Sequence, residues 1–288
     1  MDKNYEKMMN DLHRLLEKKD FADKAEAEAF IDQYLRNELP SEPKSKLTAE
    51  EKAVDLVFDA YDKDPVEAMD NITEALRLDR NCINAYEYLG MTEPLTELAI
   101  LFFEKGIRVG RKKFGGNYLK ENKGYFWGLH ETRPFMRCLH GYCDCLLMFG
   151  EKDEALAVME EMIELNPGDN QGVRYQLLNL LLETGNYDKY EKYHDMYKDD
   201  VTAFILYHHA LYSFIVSGVT RSTNNKLKKA IAANPHVPGL IISKKAIKEF
   251  PERYTPGEES EALFYIFYGK DLWRNTPGAL KWLKSISG

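Results

Sequence analysis

The residues best suited to chemistry gather in one short run, Tyr125–Arg137 (YFWGLHETRPFMR), which holds Trp127, His130, Glu131, Arg133 and Arg137. A histidine beside a glutamate is minimal equipment for proton transfer. Packing explains the same run more simply. Phe126 and Trp127 read as core, Thr132 or Glu131 as a helix start, and Pro134 as a first-turn proline. No catalytic residue is therefore assigned, and the enzyme alternative is a pocket near residues 125–137 folding over a groove. Trp127, His130, Glu131 and Arg133 stay as secondary binding candidates.

Cys138, His140, Cys143 and Cys145 are metal-capable types, yet helical side chains converge three or four residues apart. His140 and Cys143 thus share a stripe that Cys138 and Cys145 do not, whereas zinc sites draw pairs of ligands from separate elements. His208 and His209 are neighbours on a helix and diverge by about 100°. Gly106, Gly110, Gly115 and Gly116 lack the strand and lysine of a phosphate loop, and neither G-x-S-x-G nor H-E-x-x-H occurs. No metal and no cofactor is expected. Cys82 stands apart from the other three cysteines, a poor disulfide framework, so the thiols are read as reduced.

What positions these groups is a repeat. Residues 136–169 place Leu139, Tyr142, Cys143 and Leu146 on one helix and Ala155, Met159 and Met162 on a second, which Pro167 closes. That is the tetratricopeptide (TPR) pattern of two antiparallel helices with a period of about 34 residues. The chain bears the period out. Asn166 and Asn234 end similar helices 68 positions apart, twice the period, with Asp200 midway in a predicted break. Asp79 lies 87 positions before Asn166, two periods plus 19 residues, so an insertion is expected. It is placed at about 106–133, where five glycines between Gly106 and Gly124 and the cluster Arg111-Lys112-Lys113 disturb helical periodicity.

The remaining segments frame that array. Two amphipathic helices are predicted at about 4–18 and 23–36, followed by a proline-rich linker, and Thr48 with Glu51 signals a helix start by a capping box. Near the other end, Thr276-Pro277 reads as an N-cap with proline at the first helical position. The domains expected are a helical extension at 1–38, a linker at 39–47, a TPR-like array at 48–250 and capping helices at 251–288. The fold class is all-α, a right-handed superhelix of antiparallel helix pairs.

Charge and hydropathy narrow the function. A net charge of −8 and a pI near 5.5 argue against nucleic acid as a partner. No run approaches the roughly 18 apolar residues of a membrane span, and the first twenty residues mix acids with bases, unlike an export signal. A cytoplasmic protein with no membrane partner is expected. In stacked helix pairs the first helices line the concave side. Applied to three repeats, positions two, five, nine and twelve select Arg137, His140, Asp144 and Leu147, then Gln171, Arg174, Leu178 and Leu181, then Ile205, His208, Tyr212 and Ile215. The polar members suggest a groove of basic character for a protein or peptide segment, one with an acidic or carboxylate group held by Arg137 and Arg174. The competing reading pairs both arginines with acids on neighbouring helices.

The segments RLDRNCINAYEYL (77–89), ETRPFMR (131–137), ELNPGDNQGVRYQLL (164–178) and ANPHVP (233–238) resemble the TPR-containing part of the suppressor-of-tumorigenicity-seven family and related bacterial TPR proteins. The likeness spans roughly residues 65–245. It implies a helical repeat scaffold that acts through partners and performs no known reaction. The chain departs from the animal members in lacking their membrane-spanning segments. A protein- or peptide-binding scaffold without catalysis is the reading that results, with a peptide-sensing regulator as a further alternative.

Overall fold

The computed structural model describes residues 3–36, 47–244 and 251–287. Among them are sixteen α-helices and a 3-10 turn at His130–Thr132, with no strand, so the fold is all-α. The chain divides into two compact units, Met1–Gly168 and Asp169–Gly288.

Unit 1 begins with α1 (Lys3–Glu17) and α2 (Lys24–Leu35), then stacks three hairpins: α3 (Ala49–Ala60) with α4 (Pro65–Leu78), α5 (Ile83–Thr92) with α6 (Thr96–Lys113), and α8 (Arg133–Phe149) with α9 (Lys152–Leu165). A short α7 (Asn117–Asn122) lies between the last two. Local chemistry sets the ends. Thr48 and Glu51 form the expected reciprocal capping box on α3, and Asp64 caps α4 ahead of Pro65. In the first hairpin Ala53, Val57 and Ala60 meet Ala68, Ile72 and Ala75, small residues that bring the helices close while each large aliphatic buried contributes roughly 1.5–3 kcal/mol.

The tightest packing lies where glycine was read as a breaker. Gly106 and Gly110 sit inside the unbroken helix α6, and a Cβ on Gly106 would stand 2.5 Å from Cys138 Sγ. One on Gly110 would run into the Phe135 ring. These glycines are contact surface for α8, because a one-turn spacing repeats the same face and the absent side chains let the backbones approach. The insertion expected at 106–133 is thereby corrected: the irregular segment starts at Phe114, after α6 has ended.

Unit 2 contains α10 (Val173–Glu183) with α11 (Tyr187–Met196) and α12 (Ala203–Ser217) with α13 (Arg221–Ala233), followed by α14 (Val237–Ile242), α15 (Glu259–Asn275) and α16 (Ala279–Ser287). The period is visible in the breaks. Asn166 and Asn234 end α9 and α13, and Asp200 lies between α11 and α12. α15 packs on α10 and α12, and α16 on α13. Thr276 is not the start of the last helix; its hydroxyl donates to the Leu272 carbonyl at 2.7 Å and it ends α15, while Gly278 at φ 81° makes the turn into α16. Of the linker at 39–47 only Leu47 is described, and residues 245–250 at the end of the expected array lie outside the described residues.

Candidate functional site

Arg137 enters from the first turns of α8, and all three of its guanidinium nitrogens are bonded. Its Nε and Nη2 donate to the two carboxylate oxygens of Glu87 on α5 at 2.6 and 2.8 Å, and its Nη1 donates to Glu6 of α1 at 2.8 Å. Lys3 joins at 3.0 Å from Glu87, giving two cations and two anions. Glu87 is 1% exposed and Glu6 4%. Burial alone pushes the Glu6 carboxyl up, but Arg137 and Lys3 outweigh it and hold it below the usual carboxylate range. For Arg137, burial is outweighed by Glu87 and Glu6, and the guanidinium stays charged. Its forked donors therefore serve carboxylates of its own chain, as the competing reading had it.

One turn further along α8, an open cleft of about 410 Å³ gathers Arg137, His140 and Asp144 with Met91, Phe103 and Met148. The repeat rule placed those first three together, and they share this cleft. Its floor is the Phe103 ring, held between Gly90 and Gly141; a Cβ on Gly90 would lie 2.6 Å from it. At its rim Met91 is 58% exposed and Met148 74%. Leu95, Leu98 and Leu101 at the start of α6 are exposed as well.

The Tyr125–Arg137 block is built as packing. Phe126 is fully buried among Phe114, Tyr118 and Phe135 at 6.0–6.2 Å, and its N–H donates to Leu165 at the end of α9. Thr132 donates to the Phe126 carbonyl, and Arg133 to that of Trp127 at 2.9 Å with its guanidinium over the indole. Pro134 lies in the first turn of α8. Glu131 is exposed and accepts the Tyr118 hydroxyl at 2.8 Å. His130 is partly buried, which with Arg133 and His13 lowers its pKa. Both line a half-open cleft of about 180 Å³ against α1 and α3.

Unit 2 places its expected groove residues differently. Arg174 donates to Asp169 and to Asp200, both at 2.9 Å, and to the Tyr175 hydroxyl at 2.6 Å. Asp169 adopts a left-handed φ of 45°, which aspartate tolerates, and its carboxylate also receives the N–H groups of Val173 and Arg174. Arg174 is thus a clasp between the loop that opens α10 and the loop that follows α11. Gln171 is half-buried in the first of those loops.

His208 and Tyr212 need correction as open groove residues. His208 is fully buried, bonded to Asn179 at 3.1 Å, with its ring 5.2 Å from Tyr265 of α15. Burial holds its pKa down to about 3, so it is neutral. Tyr212 packs on Tyr190 at 4.6 Å and gives its hydroxyl to Glu191. For His208 the cause is α15, which lies on the side of α10 and α12 that the repeat rule leaves open; Tyr212 is covered by Tyr187, Tyr190 and Glu191 of α11.

Among the described residues no cluster of three metal-capable side chains is poised around a common point. Cys138 and Cys143 are buried, which pushes both thiols up, Cys143 to about 12. No helix among the described residues is long and apolar enough to cross a membrane.

Residue-by-residue reasoning missed Glu6 and Glu87. A signal existed: basic residues 3, 7, 14 and 18 and acidic residues 51, 55 and 59 form complementary stripes at helical spacing.

No protein-family model matches the chain. It is 24% identical over 237 residues to the human suppressor of tumorigenicity 7 protein-like, covering 73% of this chain and 41% of that protein. The Drosophila melanogaster protein ST7 homolog is 24% identical over 250 residues, 77% of this chain and 46% of that protein. The rat suppressor of tumorigenicity 7 protein-like gives the same identity over 238 residues. The chain spans less than half the length of these relatives.

Proposed function

We propose that this chain is a TPR-like scaffold, cytoplasmic and without catalysis, that binds a segment of another protein. The cleft between α5 and α8 is the observation that carries the reading. It unites the groove positions 137, 140 and 144 of one repeat with an exposed methionine rim. The likeness to the suppressor-of-tumorigenicity proteins supports a helical, partner-dependent role. Since the donors of Arg137 and Arg174 are taken up within the chain, recognition of an acidic group by these arginines is not the main contact here. Apolar side chains of the partner resting on Met91, Met148 and Phe103 are, with His140 and Asp144 fixing orientation.

An enzyme would need His130 and Glu131 to act together on a bound molecule. Both line the half-open cleft against α1 and α3, but Glu131 is exposed there and already accepts the Tyr118 hydroxyl, which favours the scaffold.

Pull-down from the native host with the full chain, compared with a Met91→Lys, Met148→Lys variant, tests the reading. The variant loses at least one protein that the parent retains. Identical capture by both chains overturns it.

A further inference from the structure

Helix α1 meets the first helices of unit 1 through charge. Lys3, Lys7, Arg14 and Lys18 recur at steps of four, seven and four residues, which keeps them on one side of a helix. α3 answers with acids spaced by four and running the opposite way. Lys7 pairs with Asp59, Arg14 with Asp55 at 2.8 Å, and Lys18 with Glu51 at 2.9 Å. Lys3 and Glu6 extend the contact to α5 and α8 through Glu87 and Arg137.

The apolar face of α1 points away from this docking. Leu12 is fully withdrawn from water and Met8, Met9, Leu15 and Leu16 are half-buried; Leu12 lies nine positions from Lys3, about two and a half turns, hence on the far side of the helix from the basic stripe, and the other four flank it. Partly exposed ion pairs each contribute little and weaken as salt rises. The buried Glu6–Arg137 bond yields little net stability, because both groups surrender their hydration to form it. The two bonds from Arg137 to Glu87 involve no atom of α1.

We infer that α1 is an exchangeable occupant, and that the acidic face of α3 and α5, closed at one end by Arg137 of α8, receives from another protein an amphipathic helix with basic residues at this spacing and one acid three positions after the first, which meets Arg137. The inference rests on the scaffold reading. It adds what the partner looks like and what holds the face closed beforehand. The occupant follows from charge: four carboxylates, Glu51, Asp55, Asp59 and Glu87, face the helix, in a chain whose net charge is already −8.

The test uses the full chain and a full-chain variant with Lys7→Glu and Arg14→Glu, which repels α1 from Asp59 and Asp55. Two labelled probes are titrated by fluorescence anisotropy: a peptide of residues 3–18, and an alanine-based helix carrying only its four basic residues and the one acid at the same spacing. The variant binds both at least about tenfold more tightly than the parent, and binding weakens from about 0.05 to about 0.5 M salt. Equal affinity for parent and variant, no binding of the alanine-based helix, or indifference to salt overturns the inference. So does a parent chain that dimerises and takes up neither probe, which gives the face to a second copy. Should the variant not fold, hydrogen exchange on the parent decides: amides of α1 exchange about tenfold faster than those of α3, increasingly so with salt, and equal protection overturns the proposal. Probe uptake with unchanged capture by the Met91/Met148 variant removes the cleft reading alone, and lost capture without probe uptake removes this inference alone.

Discussion

α1 in unit 1 and α15 in unit 2 lie on the same kind of surface, the side of the first helices, and are held there by different forces. α15 buries Tyr265, Ile266 and Trp273, and the Trp273 indole donates to the Tyr265 hydroxyl at 2.7 Å. α16 adds Trp282, stacked 4.7 Å from Phe214 and bonded to Asn224. Glu261 is buried too, and it accepts from the Ala203 and Gly257 N–H groups and the Asn234 side chain. α1 offers lysines and an arginine to carboxylates. Apolar burial grows with area and is indifferent to salt, whereas ion pairs exchange readily for water and for one another. Equivalent surfaces are thus covered in one unit by a fixed core element and in the other by a releasable one.

The largest expected effect is on the fixed cover. Trp273→Ala leaves a large cavity beneath α15 and destabilises unit 2 by about 4 kcal/mol, measured by urea unfolding with hydrogen exchange in α12–α16. A loss under 1 kcal/mol would mean that α15 is no more integral than α1.

Arg137→Met ranks next, at about 3 kcal/mol in unit 1, because it leaves the two buried carboxylates Glu87 and Glu6 with Lys3 as their one remaining cation. Adding Glu87→Gln recovers most of the loss in the same urea titration. If Arg137→Met alone proves neutral, the buried charges are not what joins α1 to α5 and α8.

Acid separates the units by about 2 kcal/mol between pH 7 and pH 5. The folded pKa of His208 is depressed to about 3 by burial, against about 6.5 in the unfolded chain. Between those values the unfolded chain binds a proton that the folded chain does not. The contribution is therefore whole above pH 6.5 and declines as pH falls toward 3. His209, also about 3 through burial and the neighbouring His194, acts in the same direction. In unit 1 the depressed pKa of Glu6 keeps its contribution present above about 4.5, and it is lost only on further acidification. Partly exposed His130 shifts like His208 and narrows the gap between the units. Thermal melts of His208→Gln should show a flatter response to pH; the parent slope retained in that variant would assign the acid response elsewhere.

The smallest effect is that of salt. Raising it from about 0.05 to about 0.5 M costs the α1 contact about 1 kcal/mol and that of α15 nothing measurable. Hydrogen exchange reads both helices in one experiment, and parallel responses would erase the distinction.

The hairpins were legible because their signals are local: the Thr48–Glu51 box, Pro134 in a first turn, and breaks at Asn166, Asp200 and Asn234. The periodicity also located Arg137, His140 and Asp144 on one cleft. It could not say which carboxylates the arginines meet, since Arg137 reaches Glu6 across 131 positions of chain. Rules for an open array failed at His208 because a later helix, α15, fills that side, and at Tyr212 because the neighbouring α11 covers it. The run AFILYHHALY (203–212) carried the hint, being apolar nearly all round, as a helix covered on several sides must be. Gly106 and Gly110 misled because a glycine that breaks a helix and one that admits a neighbouring helix look alike in sequence.

Those two glycines, with Gly90 and Gly141 gripping Phe103, leave α5, α6 and α8 no slack. A methyl group added at any of the four would meet a ring or a sulfur atom already in place. Such a block moves as one piece, like an anvil beneath whatever lies on it. A visiting helix must therefore conform to a preset template, and selectivity is written into the visitor's own spacing of charge.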